Sequence, residues 1–182
     1  LCACLEDERW AQRLLFDRFS PMMKGVCLRY ASCEEEANDL LQESMIRCFS
    51  NLNKYEKSGA LGAWMRRVTV NVCLEMYRKN KTMNEHLSRY ATENEGDDYL
   101  DNALQVMALY DLLRKIQSLP TGFRTVFNLY AIEGMTHPEI AEALSVTVGT
   151  SKSQYSRARQ LLREMIEKEN EQELMLLKYA KQ

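Results

Sequence analysis

Lys152, Ser153, Ser156 and Arg157 fall within six consecutive residues, and no carboxylate interrupts the run from Thr150 to Arg163. Lysine and arginine can donate to guanine O6 and N7, and serine can donate to or accept from a base edge. On a helix these four share one side near its start, with Thr150 leading into them. Ser151, Tyr155, Ala158 and Leu162 recur at i, i+4, i+7 and i+11 and form the opposite, inward stripe. A surface that meets phosphates needs bases without acids, and here Lys152, Arg157, Arg159 and Arg163 supply them. The competing reading is a solvated helix face whose charges serve solubility.

A second basic run lies upstream. Between Trp64 and Lys81, Arg66, Arg67, Arg78, Lys79 and Lys81 stand against Glu75 alone. Between Tyr90 and Leu113 the sign reverses: Glu93, Glu95, Asp97, Asp98, Asp101 and Asp111 occur with no lysine or arginine. The net charge of −2 therefore hides a basic, acidic, basic order that can organise a polyanion at two places. Covalent chemistry finds no support: there is no H-E-x-x-H, no glycine-rich phosphate loop and no nucleophile–base pair. Six cysteines at irregular spacing and two histidines make a poor metal set, and no cofactor is expected. Cys27, Cys48 and Cys73 fall at helical apolar positions, where a reduced thiol acts as a small hydrophobe, so a reducing cytoplasm is the expected compartment. No apolar run is long enough for a membrane span, and no secretory signal pattern is present. The chain opens at Leu1 rather than Met, so its natural start is expected to be missing.

The elements that must carry these residues are helical. The 182 residues contain only 7 Gly and 3 Pro, and apolar positions recur every three to four residues almost throughout. Residues 8–30 read as helix, with Ser20-Pro21 able to start a second one. Asn38–Leu52 follows as an amphipathic helix with Leu40, Leu41, Met45 and Phe49 inward, and Gly59 and Gly62 mark a loop. Trp64, Val68, Val72 and Met76 form the stripe of the next helix, with Trp64 in the core. The expected architecture is all-α: a first helical domain over 1–81, an acidic linker over 82–101, and a second helical domain over 102–182. In the second domain Pro120 separates two helices and Gly134 ends the later one. Thr136 to Glu139 is a capping box with Pro138 in its first turn, and Ile140, Ala141 and Leu144 face inward. Thr147 can cap the basic helix. Two helices joined by so short a turn are the helix-turn-helix pattern.

With these segments in place, LPTGFRTVFNLYAIEGMTHPEIAEALSVTVGTSKSQYSRARQLLREM resembles the promoter-reading C-terminal domain of extracytoplasmic-function (group IV) bacterial sigma factors. NDLLQESMIRCF is similar to that family's D-L-x-Q-E helix, and GALGAWMRRVTVNVCLEMYRK to its W-x-x-R-x-x-x-N helix. The resemblance implies an initiation factor that binds core RNA polymerase and promoter DNA, reads −35 and −10 elements and assists strand opening, with no catalysis of its own. It assigns Thr150, Lys152, Ser153, Ser156 and Arg157 to the −35 element. It assigns Tyr55, Lys57 and Ser58, in the loop YEKSGA, to capture of a flipped base, and Asn71 to the adjoining pocket. Arg66, Arg67, Arg78 and Lys79 would hold phosphates, and Asp39, Gln42 and Glu43 would dock on polymerase. It further implies an anti-sigma partner, often membrane-bound in this family, and a linker whose acids suit basic polymerase channels. Read from the residues alone, Tyr55 equally packs under its loop, and Asp39, Gln42 and Glu43 are the polar face of an amphipathic helix. Ser145 stands where the family often has Gly, Ser151 where it has an apolar residue, and Gln154 where it has Arg. The tail ENEQELMLLKYAKQ extends past the usual end and either caps the last domain or binds a partner.

Two other functions compete. A stand-alone helix-turn-helix regulator would use the C-terminal unit alone, usually as a dimer on a palindrome, and would leave Trp64–Lys81 without a task. A helical interaction module with no nucleic-acid role would bind in a salt-insensitive way.

Overall fold

A computed structural model describes residues 1–56, 59–86 and 104–179, with side chains for all of these except 81–86, 104–109, 173, 174 and 176–179. The backbone divides into two compact units, residues 1–100 and 101–182. Among the described residues there is helix and no strand.

The first unit contains α1 (Cys2–Leu5), α2 (Arg9–Tyr30), α3 (Glu34–Ser50), a 3-10 turn (Leu52–Lys54) and α4 (Leu61–His86). α2, α3 and α4 each pack against the other two. Leu15, Met23, Met45, Cys48, Leu52 and Met65 are buried in their shared core, with Phe19, Trp64 and Val68 packed around it. Each fully buried aliphatic or Met side chain contributes about 1.5–3 kcal/mol through desolvation. Cys27, Cys48 and Cys73 are buried as their helical positions require. Burial raises the Cys48 thiol to about 12, which keeps it protonated and inert.

Two local expectations are corrected. Ser20-Pro21 does not start a new helix, because α2 runs unbroken through Pro21. Pro21 and Asp17 are both exposed, so the Asp17 carbonyl that loses its partner is left to water. Leu15 on one side of the proline and Met23, Val26 and Cys27 on the other are buried, and that burial offsets the roughly 3 kcal/mol a mid-helix proline costs. Gly62 lies not in a loop but inside the first turn of α4. A Cβ there would stand 3.2 Å from the Phe19 ring, so glycine permits α4 to approach α2. α4 also runs five residues beyond Lys81, to His86.

The second unit contains α5 (Leu104–Gln117), α6 (Thr121–Phe127), a π-helical turn (Asn128–Ile132), α7 (His137–Leu144) and α8 (Val148–Tyr179). Its core joins Ile116, Leu119, Ala158 and Leu162, with Phe123, Phe127, Leu161 and Met165 against them. The π turn closes through the Glu133 N–H to the Asn128 carbonyl at 3.0 Å, and Gly134 then ends it at φ +73°. Between α7 and α8 the turn passes through Ser145 in the left-handed region, φ 52° and ψ 51°. A side chain there costs about 1–2 kcal/mol, and bonds from Ser145 N–H to Glu142 O and Val146 N–H to Ala141 O hold it. The turn forms without the glycine its shape favours.

Candidate nucleic-acid interface

The basic face begins with two caps. Thr136 precedes α7, and the Glu139 carboxylate accepts from the Thr136 backbone N–H and hydroxyl, each at 2.7 Å. The Glu139 N–H donates back to the Thr136 hydroxyl at 3.5 Å, completing the capping box. These bonds hold the Glu139 carboxyl below its ordinary value. Thr147 caps α8 by accepting from the Thr150 N–H at 3.0 Å, and the two hydroxyls lie 2.9 Å apart.

With its start fixed, α8 sorts by face as its periodicity requires. Ser151 and Ala158 are fully buried, Leu162 is buried and Tyr155 is half-buried. Lys152, Ser153, Ser156, Arg157 and Arg159 are exposed on the other side, and Thr150 is half-buried at their edge. The Ser153 hydroxyl donates to the Thr150 carbonyl at 3.0 Å, and the Thr150 hydroxyl is engaged with Thr147. Lys152 and Arg157 carry no ion pair among the described residues. Arg159 lies over the Tyr155 ring at 5.8 Å. Such a face can donate to base edges and phosphates together.

In the first unit the residues are less uniformly arranged. Arg67, Asn71 and Arg78 are exposed and lie within about 40° of one another around α4. Leu74 shares their azimuth but is 3% exposed, so the stripe splits into Arg67–Asn71 and a separate Arg78. Arg66 is half-buried and turned about 100° away from Arg67. Tyr55 is half-buried, its ring 5.6 Å from that of Trp64 at an interplanar angle of 47°. Its hydroxyl donates to the Gly59 carbonyl across the loop. Lys57 and Ser58 lie outside the described residues.

On α3, Asp39, Gln42 and Glu43 are exposed at i, i+3 and i+4, one contiguous stripe. Glu43 also accepts from Arg47 at 2.6 Å, and the same guanidinium reaches Glu75 on α4 at 2.6 Å. Pairing with Glu75 and then Glu43 raises the Arg47 pKa further. Sequence reasoning missed Ile46, which continues the stripe at i+7 and is 52% exposed. Its signal was available, since an isoleucine among polar positions breaks the amphipathic pattern. It also missed the bond between His137 Nδ1 and the Ser151 hydroxyl at 3.0 Å, although a serine in an apolar stripe hints at a polar partner.

The two helical units, one bearing a capped basic helix-turn-helix and the other a helix with exposed basic and amide side chains, are the arrangement expected of a protein that meets a polyanion at two places. Residues 15–82 match the family model for sigma-70 region 2, and residues 109–162 the model for sigma-70 region 4. The chain is 32% identical over 145 residues to the ECF RNA polymerase sigma factor SigE of Mycolicibacterium smegmatis, covering 77% of this chain and 55% of that protein. It is 26% identical over 162 residues to the ECF RNA polymerase sigma factor SigW of Bacillus subtilis, covering 84% of this chain and 87% of that protein. The sigma factor RpoE of Bartonella quintana, solved with the anti-sigma factor NepR, shares the fold at a TM-score of 0.54 and 19% identity, over 85% of this chain and 96% of that one. The chain belongs to the extracytoplasmic-function group of the sigma-70 family. Among the described residues no helix is long and apolar enough to cross a membrane.

Proposed function

We propose that the chain binds core RNA polymerase and directs promoter-specific transcription initiation, reading the −35 element with α8 and the −10 element with α4 and the Tyr55 loop. The observation that carries this reading is the acid-free exposed face of α8 over residues 150–163, with Lys152 and Arg157 in no ion pair among the described residues, in a chain that also contains a region 2 unit. A stand-alone regulator has no use for that second unit.

At the −35 element Lys152 and Arg157 donate to base edges, and Ser156 adjusts to either donor or acceptor. Ser153 and Thr150 hold the first turn of the helix and meet DNA with their remaining hydrogen-bonding capacity. At the −10 element Arg67 and Arg78 take phosphates and Asn71 offers its amide to a base edge. Tyr55 presents a ring braced by Trp64, a platform on which an extruded base can stack. Arg66 acts from the flank. Extrusion is driven by binding free energy, so no covalent step is required. Asp39, Gln42, Glu43 and Ile46 offer a polar stripe with one apolar anchor, which suits docking on polymerase. The Bartonella quintana relative's complex supports an anti-sigma partner for this chain, and its working compartment is the cytoplasm.

Run-off transcription from fragments of the source genome, with cognate core polymerase and this chain, tests the reading. Discrete chain-dependent transcripts are expected, and their start sites locate both promoter elements. Specific duplex binding without transcripts would instead favour the stand-alone regulator.

A further inference from the structure

His137 opens α7, and Ser151 lies in the first turn of α8. Their side chains meet at 3.0 Å, Nδ1 to Oγ. The Tyr130 ring stacks on the imidazole at 4.4 Å and 15°, and Tyr155 sits edge-on to the imidazole at 5.9 Å. Ser151 is fully buried on the inward stripe it shares with half-buried Tyr155 and with apolar Ala158 and Leu162. A hydroxyl so placed is unfavourable unless bonded, and His137 is the side chain that bonds it. The link therefore crosses the turn at Ser145, whose left-handed backbone closes without glycine, and joins the two helices where α8 begins. Lys152 and Ser153 follow Ser151 directly, with Ser156 and Arg157 one turn further on. A rotation of α8 by about 10–20° is enough to take their tips out of productive geometry.

We propose that His137 is a positioning residue for −35 reading: its bond to Ser151 sets the rotation of α8 about its own axis and so decides which of the exposed side chains reach base edges. This inference rests on the assignment of α8 to the −35 element. Tyr130 stacking holds the imidazole in the plane that aims Nδ1 at Ser151. The device places a polar pair on a buried stripe, so the pair acts as a unit: either partner alone is worse than both or neither.

The test uses holoenzyme assembled from the full chain, and promoter duplexes mapped by run-off transcription, with the −35 element intact or scrambled. The readout is the ratio of affinities for the two duplexes. His137→Phe retains the ring stack and loses the bond, and should lower the ratio about tenfold. His137→Asn, whose amide can occupy the Nδ1 position, should keep it near the wild-type value. The double variant His137→Phe/Ser151→Ala removes both polar partners and should recover most of the loss. A wild-type ratio for His137→Phe, or a double variant no better than the single one, overturns the inference. Arg157→Ala separates the two levels. If Arg157→Ala leaves the ratio unchanged, the assignment of α8 has failed; if it lowers the ratio while His137→Phe does not, only the positioning role has.

Discussion

On α8 the candidate DNA groups crowd into two turns behind a capped N-terminus, whereas on α4 they are spread over three turns and interrupted by buried Leu74. The aromatic group of the first unit comes from a separate loop, tied back by the Tyr55 hydroxyl to Gly59 and by ring contact with Trp64. A compact helix face fits the major groove of an intact duplex, where base edges are read in sequence. A divided surface, part helix and part loop, fits a strand whose bases have left the stack. The two regions thus differ in layout as well as composition, and the difference follows the state of the DNA each would meet.

Lys152→Ala and Arg157→Ala attack the α8 half and carry the largest expected effect. Each should weaken holoenzyme binding to an intact −35 duplex by about 1–3 kcal/mol, while opening of a template already melted at −10 is spared. Equilibrium binding to the two templates checks this. The mirror experiment is Tyr55→Ala, which should slow strand opening about tenfold with duplex affinity unchanged. That is the lower half of the range for base–aromatic stacking, because truncation uncovers Trp64 as a second platform. Fluorescence of a base analogue at the extruded position measures it, and equal loss in both assays would sink the loop assignment.

Smaller effects sharpen the comparison at the level of each unit's frame. Arg47→Gln removes two 2.6 Å contacts, one to Glu43 within α3 and one to Glu75 on α4, yet all three partners are partly exposed. Calorimetry should register a loss of about 0.5–1 kcal/mol in the first unit only. In the second unit the Glu139 carboxyl is held below its ordinary value near 4.5 by Thr136. A depressed folded pKa means its contribution is present above that ordinary value and is lost as pH falls through the lower folded one. Acid titration followed at the α7 amides should show this loss, and Glu139→Gln should remove it. Glu35 at the start of α3 is depressed by the same kind of hydrogen bonding and predicts a parallel loss in the first unit.

Much of this was legible in local pattern. The capping box at Thr136–Glu139, the cap at Thr147, the inward set Ile140, Ala141 and Leu144, and the two faces of α8 all formed as their spacing required. Each depends on groups within four residues or on a 3.6-residue period, which the linear sequence carries directly. Pro21 and Gly62 were misread for the opposite reason. A proline signals a boundary and a glycine a loop only when nothing else weighs on the backbone. Here buried side chains on both sides of Pro21 keep α2 continuous, and the Phe19 ring needs the space a Cβ at Gly62 would take.

The candidate sites divide along the same line. That Lys152, Ser156 and Arg157 share an exposed helix face follows from period and charge alone, because those properties are set within a single helix. That Arg66 turns away from Arg67, that Leu74 splits the α4 stripe, and that Tyr55 rests on Trp64 depend on which neighbours each helix meets. The same holds for Arg47, which reaches Glu75 across 28 residues, and for His137, which reaches Ser151 across 14. Local chemistry selected the helices and their faces. Packing between helices selected which polar groups would be spent on one another and which would remain exposed, since burial is a property of the assembled fold.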